Sequence, residues 1–227
     1  MNIKKFVFGF MILALAVLVI SAQDLITAEQ YFKQVSNVYS QIKDYEAQVT
    51  ITISKTKMTG KLIFKNPGMV RIDFSQPSNQ VIVYNGQTLI VYVPEYRAVF
   101  TQEVAGNGAE NAAMASGEGL RMMSRNYIIT FEKSPSPVPL SDTEPEQVIK
   151  LLLKRKTVAE GFTTIILSIN PETKLIRRME GTTLTGDKCI YDFTAIKLNT
   201  GITSAKFIYD IPASTNVFNN FIYNTDN

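Results

Sequence analysis

The sequence has 227 residues, of which 45% are hydrophobic and 19% are charged. This length and composition suffice for one packed domain and exclude a chain that is disordered throughout. The formal net charge of +3 falls to +1 without Lys4 and Lys5, because 21 of the 23 basic residues then face 20 acidic ones. Such a near-neutral chain lacks the positive field of a nucleic-acid-binding protein.

Two residue types limit the chemistry of the chain. Histidine is absent from the sequence, and cysteine occurs once, at Cys189. Ser-His-Asp and Cys-His nucleophile systems, most zinc sites and the usual general base at neutral pH all need histidine. One cysteine excludes an intramolecular disulfide and a cysteine metal cluster. The carboxylates are scattered, so we expect no catalytic site, no metal and no cofactor.

The N-terminus has the pattern of an export signal. Lys4 and Lys5 precede an uncharged apolar run, and small residues follow at Ser21 and Ala22. This order predicts a signal peptide over residues 1–22, cleaved near Ala22, and a mature protein outside the cytoplasm. The alternative is an uncleaved membrane anchor, for which the run is short.

One helix is predicted after the signal. Thr27 and Gln30 have the spacing of a capping box, which begins a helix. Apolar residues then recur at spacings of three and four, which places them on one helix face and ends the helix near Lys43. These residues are Tyr31, Val35, Val38 and Ile42.

The hydrophobic period then changes to two, as in half-buried strands. Asn66-Pro67-Gly68 and Asn85-Gly86 are turn signals, and connections this short give an antiparallel meander. Short helices are expected at 112–115 and 120–123, and the Pro-rich and acidic stretch 134–146 is predicted to be an exposed loop. Strands are predicted at 45–53, 62–64, 70–74, 81–84, 88–93, 127–131, 148–154, 162–169, 175–183, 189–198 and 205–209.

These elements predict an α+β fold with one large curved antiparallel sheet of about ten to eleven strands, whose concave face is covered by helices. The Pro-rich loop is also compatible with a domain boundary, but either half alone would leave an apolar sheet face uncovered. One domain over residues 23–227 is therefore the preferred interpretation. The Met-rich segment from Met114 to Met123 is a candidate cover for the sheet, and ordinary core packing is its alternative interpretation.

Other polar features favour structural interpretations. Lys154-Arg155-Lys156 and Arg177-Arg178 are interpreted as solvated strand positions rather than a nucleic-acid patch. Cys189 shares strand parity with Tyr191 and Phe193, which predicts a buried, inert thiol.

Several segments, in order along the chain, resemble one known family. They are Gly60–Ile72, Gln76-Pro77, Asn85–Leu89, Tyr92-Val93-Pro94, Asn199-Thr200-Gly201, Ala205-Lys206-Phe207 and Pro212. As an ordered set, they resemble the periplasmic outer-membrane lipoprotein carriers of the LolA-like family. The resemblance covers most of the mature chain.

The resemblance implies an open, unclosed β-barrel whose helices form a lid over an apolar cavity. It also implies a monomeric periplasmic carrier without a cofactor. Such a carrier would accept the lipid anchor of acylated lipoproteins from an inner-membrane releasing transporter and pass it to an outer-membrane acceptor. Burial of acyl chains is favourable by about 0.8 kcal/mol per CH₂. The alternative function is a lipid-sensing or regulatory module on the same half-barrel.

Two groups of site residues follow from these expectations. Family members tend to carry Arg just before the turn proline, where this chain has Asn66, with Lys65 and Arg71 as neighbouring cations. These three residues are assigned to control of the lid and of release. The lipid-binding cavity is expected to be lined by Leu62, Phe64, Val70, Ile72, Phe74, Leu89, Val91, Met114, Leu120, Met122 and Met123.

Overall fold

The computed structural model describes residues 26–104, 116–158 and 160–221. These ranges contain the helices α1 (Ala28–Ser40) and α2 (Gly117–Asn126) and the 3₁₀ turns Pro94–Tyr96 and Ser204–Phe207. The strands are β1 (Asp44–Ile53), β2 (Thr56–Lys65), β3 (Met69–Gln76), β4 (Val81–Tyr84), β5 (Thr88–Val93), β6 (Ala98–Glu103), β7 (Tyr127–Phe131), β8 (Val138–Ser141), β9 (Glu144–Arg155), β10 (Phe162–Ile169), β11 (Ile176–Thr183), β12 (Lys188–Leu198) and β13 (Asn216–Asn219). Neither helix of these ranges has the length and apolar content needed to span a membrane. The predicted signal peptide and the predicted helix at 112–115 lie outside the described residues.

Helix α1 begins at the predicted capping box. The Gln30 amide donates to Thr27 Oγ1 over 3.2 Å, and the Thr27 amide donates to Gln30 Oε1 over 2.9 Å. The helix buries Tyr31 and Val35, as its periodicity predicts. It ends at Ser40, three residues before the predicted end at Lys43.

The strands form one sheet that is open within the described ranges. Its order is β13-β6-β5-β4-β3-β2-β1-β12-β11-β10-β9-β7, and β8 pairs with β9 off this path. All neighbours pair antiparallel except β6 and β13, which are parallel. The pairing of β1 with β12 joins the two halves of the chain, so the prediction of one continuous α+β sheet is confirmed.

Helices α1 and α2 cover one face of the sheet, which we call the inner face. They pack on each other and approach β7 most closely. The main hydrophobic core lies between the helices and this face, and it includes Phe32 from α1 and Leu120 from α2 together with residues of both halves of the sheet.

The C-terminal segment, residues 199–215, packs on the opposite, outer face. Its Phe207 is fully buried against Val81 and Val83 of β4. Tyr209 lies beside Tyr92 of β5, with ring centroids 5.9 Å apart. The segment and the outer face of β4 and β5 therefore form a second, smaller hydrophobic core.

Three of the thirteen strands were not predicted. Strand β6 has an apolar start and a polar end instead of an alternating pattern, so the period-two signal is missing. Strand β8 contains Pro139, which is tolerated because β8 pairs on one side only. Strand β13 has four exposed residues and is held by its parallel partner.

Two loop and strand predictions were wrong. The stretch 134–146 is not simply an exposed loop: β8 lies within it, β9 begins at Glu144, and Leu140 is only 1% exposed. The strand predicted at 205–209 is a 3₁₀ turn over Ser204–Phe207. The turn is anchored by Phe207, which is buried on the outer face. This burial stabilises the turn without strand pairing.

Arg177 and Arg178 are not solvated, contrary to the interpretation from sequence. A bulge in β11 shifts the register between Ile176 and Arg178 and places both guanidinium groups within reach of the same acids. Both contact Glu144 and Asp192, and the two side chains are only 15% and 14% exposed. The cluster fastens the start of β9 to β11 and β12.

A buried carboxylate fastens the C-terminal segment to the start of β1. Asp44 is 4% exposed, and its carboxylate accepts hydrogen bonds from the Thr200 amide at 2.7 Å and the Gly201 amide at 3.2 Å. Replacement of Asp44 by Ala leaves both amides unpaired. We expect Asp44→Ala to lower the free energy of unfolding by about 2–3 kcal/mol in urea titrations.

The matched control is Asp142→Ala in the exposed β8–β9 turn, which should change stability by less than about 0.5 kcal/mol. Equal effects of the two substitutions would contradict the anchoring role of Asp44.

Candidate functional site

The inner face carries two continuous rows of side chains that run across the first half of the sheet. Paired positions of neighbouring strands project to the same face, so the register defines each row. The first row is Tyr45, Phe64, Val70, Tyr84, Leu89 and Gln102. The second row is Ala47, Leu62, Ile72, Ile82, Val91, Phe100 and Phe218.

The predicted cavity residues of the strands lie in these rows or beside them. Five of them belong to the main core: Leu62, Phe64, Val70, Ile72 and Phe74. Leu89 is partly buried and packs against the same core, and Val91 is half-buried in the second row. Sequence alternation therefore placed these residues on one face of the sheet.

Helix α2 brings two of the four predicted Met-rich positions to this core. The helix begins at Ser116, whose hydroxyl accepts a hydrogen bond from the Gly119 amide at 3.0 Å. Leu120 and Met123, three residues apart, are buried in the core. Met122 is half-buried and is not a core member, and Met114 lies outside the described residues.

The predicted release residues contact the C-terminal segment and the end of α1. Lys65 Nζ donates to the Ile202 carbonyl over 2.6 Å, and Arg71 Nη1 donates to the Lys206 carbonyl over 2.9 Å. The Asn66 amide donates to the Lys43 carbonyl over 2.9 Å, just beyond α1. The two cations thus hold the C-terminal segment on the outer face, and the Asn66 amide extends the pairing of β1 with β2.

Buried tyrosines add hydroxyl groups to the apolar inner core. The Tyr39 hydroxyl accepts a hydrogen bond from the Ile176 amide at 3.0 Å. Tyr45 stacks on Phe64 with ring centroids 5.0 Å apart. Desolvation raises the pKa of Tyr31 and of Tyr39 to about 12, and the hydrogen bond from Ile176 opposes part of the shift at Tyr39.

Aromatic residues extend the second row to the β13 edge, and sequence reasoning missed them. Phe100 of β6 stacks on Phe218 at 5.3 Å and contacts Phe221 at 5.6 Å. Phe218 is 50% exposed and Phe221 is 39% exposed. Both lie in a stretch without strand alternation, so only the β6–β13 pairing reveals that Phe218 continues the row.

A cleft of about 650 Å³ is bordered by α1, α2 and β7. Phe32 and Ile129 form part of its floor and belong to the main core, whereas Lys33, Arg121 and Lys156 lie among its lining residues. None of the described predicted cavity residues lines this cleft, which was not foreseen from sequence. Across the described ranges, acidic and cysteine side chains form no group of three that would suit a metal ion.

A family model described as outer membrane lipoprotein carrier protein LolA matches residues 30–210. The match covers most of the chain and contains both inner-face rows except Phe218. The chain belongs to the LolA family.

Named members of the LolA family show modest identity over most of their length. The outer-membrane lipoprotein carrier protein of Pseudomonas paraeruginosa is 24% identical over 174 residues, which cover 75% of this chain and 77% of that protein. The protein of the same name from Hahella chejuensis is 23% identical over 209 residues, covering 89% and 95%. The resemblance inferred from the ordered segments is thereby confirmed.

Solved structures of low identity share the fold. A conserved protein from Thermus thermophilus aligns with a TM-score of 0.55 and 13% identity, covering 85% of this chain and 98% of that one. MucB aligns with a TM-score of 0.51 and 12% identity, covering 84% of this chain and 65% of that one. These alignments support the open sheet and its helical cover.

The buried tyrosines predict a loss of stability at alkaline pH. Their pKa is near 12 in the folded chain and near 10 when unfolded, so the unfolded state alone ionises between these values. Stability should therefore be constant up to about pH 9 and fall above it, by at most about 1.4 kcal/mol per pH unit for each such tyrosine.

Urea titrations across this pH range, with tyrosinate absorbance recorded in parallel, measure the effect. Ionisation of every tyrosine near the ordinary value, with the fold intact, would contradict it.

Proposed function

We propose that this LolA-family protein is a periplasmic carrier that holds the acyl chains of lipoproteins on its inner face. The observation that carries the proposal is the pair of apolar rows across β2–β5, which continue from strand to strand and belong to the same core as residues of both helices. Each row offers a surface several strands wide, which suits the length of an acyl chain. The family and the names of its members support the lipoprotein as cargo.

Burial of an acyl chain on the inner face can replace the burial that helix α2 provides. Helix α2 contributes Leu120 and Met123 to the described core, and burial of two such side chains is worth about 3–6 kcal/mol. One palmitoyl chain that is fully buried gains about 12 kcal/mol on the same scale, relative to the same chain in water. For a chain that would otherwise face water, this gain exceeds the burial that α2 gives up, whereas α1 contributes five core residues and stays in place.

The cleft between α1 and α2 supports the assignment of α2 as the moving part. It borders both helices, and its floor reaches the core at Phe32 and Ile129. An acyl chain that enters there meets apolar side chains, while Lys33 and Lys156 remain at the polar lining. In this proposal the cleft is the site at which α2 begins to separate.

The release step is proposed to act through Lys65, Asn66 and Arg71. These residues contact the C-terminal segment and the chain just after α1, so a partner that binds this segment can disturb β2 and β3. The proposed partners are an inner-membrane lipoprotein-releasing transporter as donor and an outer-membrane lipoprotein acceptor. The carrier is proposed to act as a monomer and without enzymatic activity.

Export is part of the same proposal. Residues 1–22 are proposed to be removed after translocation, which would place the mature chain in the periplasm. The protein expressed from its full sequence in a bacterium should be recovered from the periplasm with a mass that begins at Gln23. Recovery of the full-length mass from the membrane fraction would instead identify an uncleaved anchor.

A lipid-sensing module is the alternative function on this fold. A carrier gives its cargo up to an acceptor membrane or protein, whereas a sensor retains lipid and changes its affinity for a protein partner. Transfer of a labelled lipopeptide from the loaded protein to acceptor vesicles distinguishes them. Retention of the lipid under all conditions would favour the sensor.

A carboxylate on the inner face should abolish lipid binding. In Ile72→Glu and Leu89→Glu the charge must be desolvated beneath an acyl chain, which is strongly unfavourable. We expect at least about tenfold weaker binding of a fluorescent fatty acid or a triacylated lipopeptide. Leu89 is only partly buried, so Leu89→Glu is the variant that is more compatible with folding.

The control is Leu184→Glu, in the turn between β11 and β12, where the side chain is already 62% exposed. Circular dichroism and urea unfolding establish that each variant is folded. Unchanged binding by folded Leu89→Glu, or equal losses in Leu184→Glu, would show that the ligand does not occupy the inner face.

A further inference from the structure

The Tyr84 hydroxyl is a buried polar group without a hydrogen-bond partner among the described residues. Tyr84 is only 1% exposed and belongs to the main core. Native proteins rarely leave such a group unpaired, because it loses its bonds to water and gains nothing in return. An unpaired buried donor at a binding face therefore indicates a ligand that supplies the acceptor.

The register places Tyr84 between two residues of the proposed lipid-binding face. Val70 of β3 and Leu89 of β5 are its directly paired neighbours on either side. Its side chain consequently shares their face and lies within the row that an acyl chain would follow. A ligand on Val70 and Leu89 has to pass Tyr84.

The chemistry of the group is that of a neutral donor. Desolvation raises the pKa of Tyr84, so the phenol keeps its proton at physiological pH. The acyl chains of a lipid anchor offer no polar atom along their length. Their polar atoms are the carbonyl oxygens where each chain joins the rest of the anchor, and these accept hydrogen bonds but do not donate.

We propose that Tyr84 is a specificity-determining residue that donates a hydrogen bond to an ester carbonyl of the bound lipid anchor. The inference rests on the proposed carrier function, and it deepens that function by fixing where the ester linkage lies along the row. The rows bind the apolar chains, and the Tyr84 hydroxyl distinguishes an ester-linked chain from an ether-linked or unfunctionalised one.

Two other tyrosines of the core provide matched controls. Tyr31 also has an unpaired hydroxyl, but its ring contacts Phe131 of β7 and lies beneath Lys174, away from the two rows. Tyr39 has a paired hydroxyl, which accepts the Ile176 amide. Replacement of each by Phe removes one oxygen atom from a similarly buried ring.

The experiment compares binding of two synthetic triacylated lipopeptides to the mature protein. One carries its two glyceryl-linked chains as esters, and the other carries the same chains as ethers. The wild-type protein should bind the diester about threefold to tenfold more tightly, the worth of one neutral hydrogen bond. Tyr84→Phe should bind both peptides equally, and Tyr31→Phe should keep the wild-type preference.

Unfolding midpoints supply the second readout. Tyr84→Phe should keep or raise the midpoint of the free protein, whereas Tyr39→Phe should lower it because the Ile176 amide loses its acceptor. A lowered midpoint for Tyr84→Phe would mean that its hydroxyl is already satisfied without ligand, which overturns the inference.

The binding outcomes separate the two proposals. Tight binding of both peptides by wild type without a preference, or a preference that survives in Tyr84→Phe or disappears in Tyr31→Phe, overturns the role of Tyr84 and leaves the carrier function standing. Failure of the wild-type protein to bind either peptide overturns the carrier function itself.

Discussion

The pairing of β1 with β12 is the interaction on which the rest of the fold depends. It joins residues that are far apart in sequence, such as Val49 and Phe193, and β1 pairs along its whole length with β2 on its other side. This one strand therefore fuses two meanders, each of which would leave its apolar inner face in water. At one end of this strand pair, the Ser54 amide donates to the Lys188 carbonyl. At the other end, the Asp44 carboxylate accepts a hydrogen bond from the Thr200 amide.

The fused sheet makes the inner face both the folding core and the proposed binding surface. A protein cannot leave such an apolar face exposed while it waits for cargo, so the helices have to cover it. The two helices differ in how much they contribute, since α1 buries five residues and α2 buries Gly119, Leu120 and Met123. This difference in buried residues is a physical reason why, in the proposed carrier, α1 would stay in place and α2 would move.

Sequence alternation predicted which residues of a strand share a face, because this depends on local chemistry. Ile72 and Phe74 alternate with the polar residues Arg71, Asp73 and Ser75, so their shared face follows from strand geometry alone. The parts that failed depend on contacts distant in sequence: β13 exists through its pairing with β6, and the 3₁₀ turn at Ser204–Phe207 through burial on β4.

The residues of the candidate site were predictable to the same extent. The sequence did not show which face of β5 carries Leu89, and the register of β4 with β5 supplies it. The burial of Arg177 and Arg178 could not be predicted either, because a bulge in β11 turns both to one side. The role proposed for Tyr84 likewise has no signal in the sequence, where it is one more strand residue of the apolar pattern. Only the absence of an acceptor near its hydroxyl, across the described residues, makes it distinctive.

The outer face bears on the proposed release step, for which family resemblance leads one to expect Arg where this chain has Asn66. Side chains of β3 alternate, so Arg71 holds the C-terminal segment outside while Val70 and Ile72 line the row inside. Both cations assigned to release, Lys65 and Arg71, already donate to carbonyls of that segment. Both side chains therefore act on the outer face, opposite the helices. In the proposed carrier, a partner that shifts the C-terminal segment would remove these two anchors from β2 and β3, which couples release to contact with that partner.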